Sequence, residues 1–205
     1  MDLPFARSGR LHLGRTEPKL KPIMARVGPY RPRMVPNRFE ALLRSIVSQQ
    51  VSVKAAEAIF RKLLATLKGR PPTAAAIARL RPEELRAAGL SGAKARYAHD
   101  LAARVADRSV RLDRIHEKAD ADVIEELTQV HGIGVWTAEM FLIFSLGRPD
   151  VLPVDDLGLR AALQRFDGLK ELPTKGQVRE RGAAWAPYRS VGTWYLWQSL
   201  KLESA

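Results

Sequence analysis

Two short segments of this chain combine residue types that could do chemistry. In the first, Leu127–Met140, the sequence Gly132-Ile133-Gly134 lies between the end of one predicted helix and the start of another. Glycines permit a tight turn and a close approach of the backbone to a partner. Unpaired N–H groups at a helix start, aided by the helix dipole, suit a phosphate. The pattern predicts a helix–hairpin–helix element for DNA contact without base reading, although a simple C-cap glycine between two helices has the same pattern.

The second segment carries two adjacent carboxylates about twenty residues later. Pro153 interrupts any helix, and a helical period resumes at Leu159, so Asp155 and Asp156 lie at a predicted helix start. Taken alone, these aspartates are explained by helix capping, by the helix dipole, or by an ion pair of Asp156 with Arg160. The hairpin before them is what makes a catalytic interpretation of the carboxylate reasonable.

The elements that must position these residues are predicted to be helices. After an N-cap at Asn37, the apolar residues Phe39, Leu42, Leu43, Ile46 and Val47 recur with helical spacing. Further helices are predicted over 53–67, 83–88, 91–107 and from 118 to about 130. Alternating β-branched residues are nearly absent, so the predicted fold class is all-α, with two helical lobes and a central cleft. Because residues 1–36 are rich in proline and basic residues, they are predicted to form an irregular arm that has room for one short helix. Residues 37–205 form the body, with the hairpin at about 127–140 in one lobe.

Composition narrows the classes of partner. The 205 residues include 34 Lys+Arg and 22 Asp+Glu, which gives a net charge of +12 and favours nucleic acid as partner; a basic surface that serves only solubility is the alternative. The absence of cysteine excludes disulfides, thiolate metal sites and cysteine-ligated iron–sulfur clusters. The four histidines lack metal-ligand spacing. Neither a signal peptide nor a membrane span is expected, so the protein is expected to be soluble and intracellular.

Several motifs in the same order resemble one enzyme family. They are Ser45–Ala56, Gly89–Ala95, the hairpin, Val154–Arg160 and Trp185–Trp197. Together they resemble the helix–hairpin–helix–Gly/Pro–Asp superfamily of DNA glycosylases, and within it the AlkA type of 3-methyladenine DNA glycosylase II. The resemblance spans about residues 38 to 200. Longer members carry an additional N-terminal β-rich domain, for which this chain is too short.

The resemblance implies an activity and a set of residues. Asp156, immediately before Leu-Gly, matches the catalytic carboxylate, which would stabilise the positive charge that develops on the sugar as an N-glycosidic bond is hydrolysed. The target base must leave the stack, and a cationic base is well held by aromatic faces. Trp136 and Trp197 match the aromatic residues of the pocket, and Tyr188 and Tyr195 are weaker candidates. Met140 replaces a tyrosine of well-known relatives, which leaves the substrate range open; core packing is the alternative role for each tryptophan.

The resemblance also implies DNA contacts. Gln49 and Gln50 lie in the loop that fills the gap left by a flipped base, with Gln50 at the inserting position, unless this is only a polar turn between helices. The remaining predicted DNA-binding residues belong to the hairpin: His131, Gly132, Ile133 and Gly134. The expected partner is double-stranded DNA that contains alkylated bases. The protein is expected to be a monomer and to have no membrane partner. No cofactor or catalytic metal is expected, and the hairpin carbonyls are candidate ligands for Na⁺ or K⁺. A cytoplasmic, DNA-associated location follows if the source is prokaryotic.

One substitution within the hairpin bears on the type of reaction. Bifunctional relatives such as endonuclease III carry a nucleophilic lysine two residues after the second hairpin glycine, where this chain has Trp136. The resemblance therefore implies a monofunctional glycosylase that flips out alkylated bases, such as 3-methyladenine, and initiates base excision repair. Two alternatives stay open: a glycosylase of the same superfamily for another lesion, and a non-catalytic DNA-binding protein.

Overall fold

A computed structural model describes residues 3–202 of the chain, and its described residues contain twelve α-helices, three short 3₁₀ helices and no β-strand. The all-α prediction is therefore confirmed. In chain order the helices are α1 (Ala6–Thr16), α2 (Lys21–Val27), α3 (Arg38–Ser48), α4 (Val53–Thr66), α5 (Ala74–Ala78), α6 (Pro82–Ala87), α7 (Gly92–Ala106), α8 (Asp120–Thr128), α9 (Val135–Phe144), α10 (Leu157–Asp167), α11 (Lys175–Gly182) and α12 (Arg189–Leu202). No helix within residues 3–202 is long and apolar enough to cross a membrane.

The helices belong to two compact units. One unit joins the two ends of the chain, Met1–Met34 and Leu142–Ala205, and contains α1, α2, α10, α11 and α12. The other unit, Val35–Phe141, contains α3 to α8 and most of α9. The hairpin lies in the second unit and Asp156 lies in the first.

Side-chain caps and buried stripes explain where the helices of the second unit begin. Asn37 Oδ1 accepts a hydrogen bond from the Glu40 amide at 3.1 Å, as an N-cap should. The predicted apolar stripe of α3 is entirely buried. Ser91 caps α7 in the same way, through the amide of Lys94 at 3.3 Å. The structure confirms both of these helix starts, which the sequence predicts.

The N-terminal segment differs from its prediction. The described residues 3–36 do not form an irregular arm, since they contain α1 and α2 and supply core residues to the first unit. Leu13, Leu20, Met24 and Tyr30 are buried there with α10 and α12. The prolines are misleading because Pro18 and Pro22 occupy the first turns of helices, where no intrahelical N–H bond is lost. The chain passes from the first unit to the second between Met34 and Val35, close to the predicted boundary at residue 36, but the segment before it forms one compact unit with Leu142–Ala205.

Candidate functional site

Asp156 is the N-cap of α10, and two hydrogen bonds orient its carboxylate. Its Oδ1 accepts from the backbone amide of Leu159 at 2.5 Å and from Trp197 Nε1 on α12 at 2.8 Å. The capping function therefore coexists with a contact to one of the predicted aromatic residues. Both bonds end on the same oxygen, so they fix the position of Oδ1.

Small and aromatic neighbours complete the surroundings of Asp156. A Cβ on Gly158 would lie 3.1 Å from Asp156 Oδ1 and 3.4 Å from Trp197 Nε1, so a side chain there would crowd the carboxylate oxygen and displace it by a few tenths of an ångström. The Trp197 ring stacks on Phe144, with ring centroids 5.8 Å apart and an angle of 24°. The Trp197 indole is thus held at its Nε1 edge by Asp156 and at its ring face by Phe144.

The neighbouring carboxylate, Asp155, has a different role in the structure. Its side chain forms an ion pair with Lys175 at the start of α11 and is 38% exposed. Such exposed pairs contribute little to stability. The two adjacent aspartates therefore differ, because Asp155 pairs with a surface lysine whereas Asp156 accepts from a backbone amide and an indole.

Two other aromatic residues proposed from the sequence lie elsewhere in the first unit. The Tyr188 ring packs against His12 of α1, with centroids 5.4 Å apart, and lies near Gly9. Tyr195 is fully buried, and its hydroxyl donates to the Gly28 carbonyl at 2.9 Å. The structure thus brings Trp197 to Asp156 and gives Tyr195 a core position.

The hairpin turn has the backbone geometry that its glycines predict. Gly132 has φ of +83°, a conformation that favours glycine. A Cβ there would also lie 2.2 Å from Cδ2 of Tyr97, so the position is closed to any side chain. Gly134 is exposed, and a Cβ there would meet nothing within 4 Å. Ile133 is 4% exposed, so its side chain anchors the turn in the core.

His131 opens the turn and is held by an acidic side chain of α7. Asp100 Oδ2 accepts from the His131 amide at 2.8 Å and lies 3.0 Å from Nδ1 of its ring. Arg104 Nε donates to the same oxygen at 3.1 Å. Partial burial alone would raise the pKa of Asp100, but the hydrogen bonds from His131 and Arg104 outweigh it and lower that pKa.

The loop between α3 and α4 joins the hairpin. Gln49 Nε2 donates to the Gly132 carbonyl at 2.6 Å. Gln50 is exposed and has φ of +54°, an unusual conformation for a residue with a side chain. The two predicted glutamines thus differ: Gln49 is tied to the turn, and Gln50 lies at a strained position on the surface.

The residues predicted on α9 are accessible to different degrees. Trp136 is 44% exposed, which excludes the alternative that it is a core residue. Met140, one turn later on the same helix, is half-buried. No cluster of three or more potential ligands among His, Cys, Asp and Glu occurs within residues 3–202.

Comparison with known proteins identifies the family. Residues 43–187 match the family described as HhH-GPD superfamily base excision DNA repair protein. The chain belongs to this superfamily. The DNA-3-methyladenine glycosylase 1 of Schizosaccharomyces pombe is 36% identical over 197 residues, which cover 94% of this chain and 86% of that protein.

Two solved structures of HhH-GPD relatives share the fold along nearly their whole length. The S. pombe 3-methyladenine DNA glycosylase in complex with abasic DNA has a TM-score of 0.88 at 35% identity, covering 97% of this chain and 98% of that one. A DNA-3-methyladenine glycosidase from Bacillus halodurans has a TM-score of 0.86 at 34% identity, covering 99% and 92%.

Sequence reasoning misses several residues that surround Asp156 and the hairpin. It does not identify Phe144 as the ring that stacks on Trp197, it includes Gly158 only as part of a motif, and it does not identify the partners of the hairpin on α7. A signal for α7 is present, because Lys94, Tyr97 and Asp100 recur every three residues and therefore share one helix face. The spacing alone does not say which elements this face of α7 contacts.

Proposed function

We propose that this protein is a monofunctional DNA glycosylase that removes alkylated purines, such as 3-methyladenine, from duplex DNA. It would hydrolyse the N-glycosidic bond and so initiate base excision repair. The observation that carries the proposal is the fixed carboxylate of Asp156, held by Leu159 N and Trp197 Nε1 at the helix start. Relatives named as 3-methyladenine DNA glycosylases support the substrate class.

Asp156 is proposed as the catalytic residue. Departure of the base leaves positive charge on the deoxyribose, as in glycoside hydrolysis. A carboxylate whose orientation is already fixed stabilises that charge without reorganising, and it can orient or deprotonate the attacking water. An alkylated purine already carries positive charge and is a good leaving group, so a strong general acid is unnecessary.

Aromatic residues are proposed to select the cationic base. Trp136 exposes part of its indole, and Trp197 has its Nε1 committed to Asp156 and its ring stacked on Phe144. Aromatic faces attract cations by electrostatics. Met140 is retained as a base-contacting residue on α9, and Tyr188 is the weakest candidate because its ring packs against α1.

The hairpin and the loop are proposed to hold the DNA. Amides of the turn at Gly132 and Gly134 would bind a phosphate, with His131 beside them, which gives affinity without sequence preference. Gln50 would enter the space left by the flipped base. Its positive φ supports this role, because backbone strain in an exposed loop often accompanies function.

No cofactor is required in this proposal. A Na⁺ or K⁺ ion at the hairpin would be bound by backbone carbonyls of the turn, and the Gly132 carbonyl, which accepts one hydrogen bond from Gln49, keeps a second lone pair. Because Trp136 stands where bifunctional relatives have lysine, no amine attack on the sugar is proposed there. The enzyme is expected to work as a monomer in the compartment that holds the DNA, the cytoplasm in a prokaryote.

Defined duplexes test the proposal against its alternatives. Each duplex would carry one alkylated purine, one oxidised purine or one mismatch, and abasic sites would be revealed with alkali after single-turnover incubation. The proposed function predicts cleavage at the alkylated purine. Cleavage only at another lesion would identify a different glycosylase of the superfamily, and binding without cleavage of any duplex would identify a non-catalytic DNA-binding protein.

A further inference from the structure

One face of α7 holds both segments that are proposed to contact DNA. Lys94, Tyr97 and Asp100 are spaced three residues apart and therefore lie along the same side of this helix. Lys94 contacts the end of α3 and the loop after it, whereas Tyr97 and Asp100 contact the hairpin turn. All of these residues belong to the second unit.

Lys94 binds the backbone at the end of α3. Its Nζ donates to the carbonyls of Val47 at 2.8 Å and Gln49 at 2.6 Å. The last carbonyls of a helix have no intrahelical partner, and a positive charge there is favourable for the helix dipole. Partial burial lowers the pKa of Lys94, so the ammonium is held at this position at a net desolvation cost.

Gln49 is consequently held at two points. Lys94 binds its carbonyl oxygen, and its own side chain donates to the Gly132 carbonyl of the hairpin. The next residue is Gln50, with its positive φ. The direction in which Gln50 leaves the surface is therefore set by the contacts of Gln49.

The hairpin is held from the same helix. Asp100 binds the amide and the ring of His131, and the ring of Tyr97 occupies the space above Gly132. Because a helix is stiff over two turns, the positions of the loop and the turn are linked through α7 as well as directly through Gln49. Phosphate binding at the turn then fixes where Gln50 meets the base stack.

We propose that Lys94 is a positioning residue that fixes the loop of Gln49 and Gln50 relative to the hairpin. This inference rests on the proposed function. A lysine in a DNA-binding protein is ordinarily expected to bind phosphate, but the Lys94 ammonium directs two of its three donors to backbone carbonyls. The two roles differ in their effect on the salt dependence of DNA affinity, because each cation that neutralises a phosphate contributes about 0.9 to the slope of log affinity against log salt.

The test compares Lys94→Met with Lys94→Arg, and uses Lys62→Met on the exposed side of α4 as the matched removal of one charge. The first measurement is single-turnover excision from an alkylated duplex, with 2-aminopurine beside the lesion to report unstacking. Lys94→Met is expected to slow both rates by about tenfold or more, since small misplacements have large kinetic effects. Lys94→Arg should recover part of this rate, because its guanidinium can also donate to the carbonyls.

The second measurement is affinity for undamaged duplex at several salt concentrations. Lys94→Met should keep the wild-type slope, and Lys62→Met should match wild type in unstacking and excision. Excision by Lys94→Met within about threefold of wild type, or a slope reduced by the 0.9 or so that a phosphate-binding cation contributes, would overturn the positioning role. If Lys94→Met melts at a much lower temperature, Gln49→Ala replaces it, because that change removes only the brace to Gly132 and should slow unstacking in the same way.

Amide exchange separates this inference from the proposed function. In the protein without DNA, Lys94→Met should speed hydrogen exchange of residues 49–52 by about tenfold or more, while Lys62→Met leaves it unchanged. If wild type excises no alkylated base, the proposed function fails, and the exchange measurement still decides whether Lys94 fixes the loop. Unchanged exchange in the loop would refute the positioning role even in an active enzyme.

Discussion

Replacing Asp156 by asparagine should separate catalysis from folding. An amide oxygen can accept the same two hydrogen bonds that Oδ1 accepts from Leu159 N and Trp197 Nε1. Asparagine is as good an N-cap as aspartate, so the helix loses mainly the charge–dipole interaction, about 0.3–1 kcal/mol. For a chain of 205 residues the melting temperature should fall by only a few degrees, about 2–4 °C per kcal/mol.

The rate should fall much more than the stability. A carboxylate about 4 Å from the positive charge on the sugar contributes about 4 kcal/mol at an effective dielectric constant of about 20. Since each 1.36 kcal/mol is about tenfold in rate, excision should slow by about three orders of magnitude. Affinity for undamaged duplex should change little, because phosphate contacts are assigned to the hairpin.

Single-turnover excision from a duplex with one alkylated purine measures this decrease in rate. Thermal melting measures the change in stability, and titration with undamaged duplex measures the change in affinity. Asp155→Asn is the matched control, since it removes a neighbouring charge that pairs with Lys175, and it should stay within about twofold of wild type. Excision by Asp156→Asn within about threefold of wild type, which is about 0.7 kcal/mol, would refute the assignment. The reverse pattern would move the catalytic role to Asp155.

Three further predictions concern the hairpin and its surroundings. Gly134→Arg should fold normally, because a Cβ there meets nothing, yet it should weaken binding to damaged and undamaged duplex alike by about tenfold or more, despite its added charge; a titration at fixed salt that shows equal or tighter binding would mean that the turn is not the anchor. Asp100→Asn should be less stable by about 1–2 kcal/mol at pH 7, because its hydrogen bonds no longer end on a charged oxygen. Since the pKa of Asp100 is lowered in the folded protein, that difference should start to shrink as the pH falls below the unfolded-state value of about 3.9 and should be lost only below the folded-state pKa; urea denaturation that gives the same difference at pH 7 and pH 3 would contradict this. Borohydride should trap no covalent adduct with DNA during excision, because Trp136 replaces the lysine of bifunctional relatives, and a robust adduct on a denaturing gel would show that another amine attacks the sugar.

Local patterns in the sequence predict local structure well. The stripe and cap of α3, the cap of α7 and the glycine geometry at residue 132 all depend on neighbours within a few positions. The N-terminal segment shows the limit of this reasoning. Proline content predicts irregular structure there, but the position of each proline within a helix decides its effect, and burial against α10 and α12 supplies the stability that local propensity lacks.

The contacts that build the candidate site are beyond sequence reasoning. Asp156 and Trp197 are 41 residues apart in the chain, Gln49 and Gly132 are 83 apart, and Lys94 and Gln49 are 45 apart. Each of these hydrogen bonds depends on how helices pack, which no local spacing encodes. The resemblance selects Asp156 and Trp197 as separate residues, and the structure adds the hydrogen bond that connects them.

Base release from methylated duplex DNA tests the proposed function most directly. Wild-type protein and Asp156→Asn would be incubated with DNA treated with a methylating agent, and the freed bases would be separated by chromatography. The proposed function predicts free 3-methyladenine from the wild type, strands that break only after alkali, and almost no release by Asp156→Asn. The absence of any free methylated base with folded, DNA-binding wild type, or equal release by the two proteins, would contradict it.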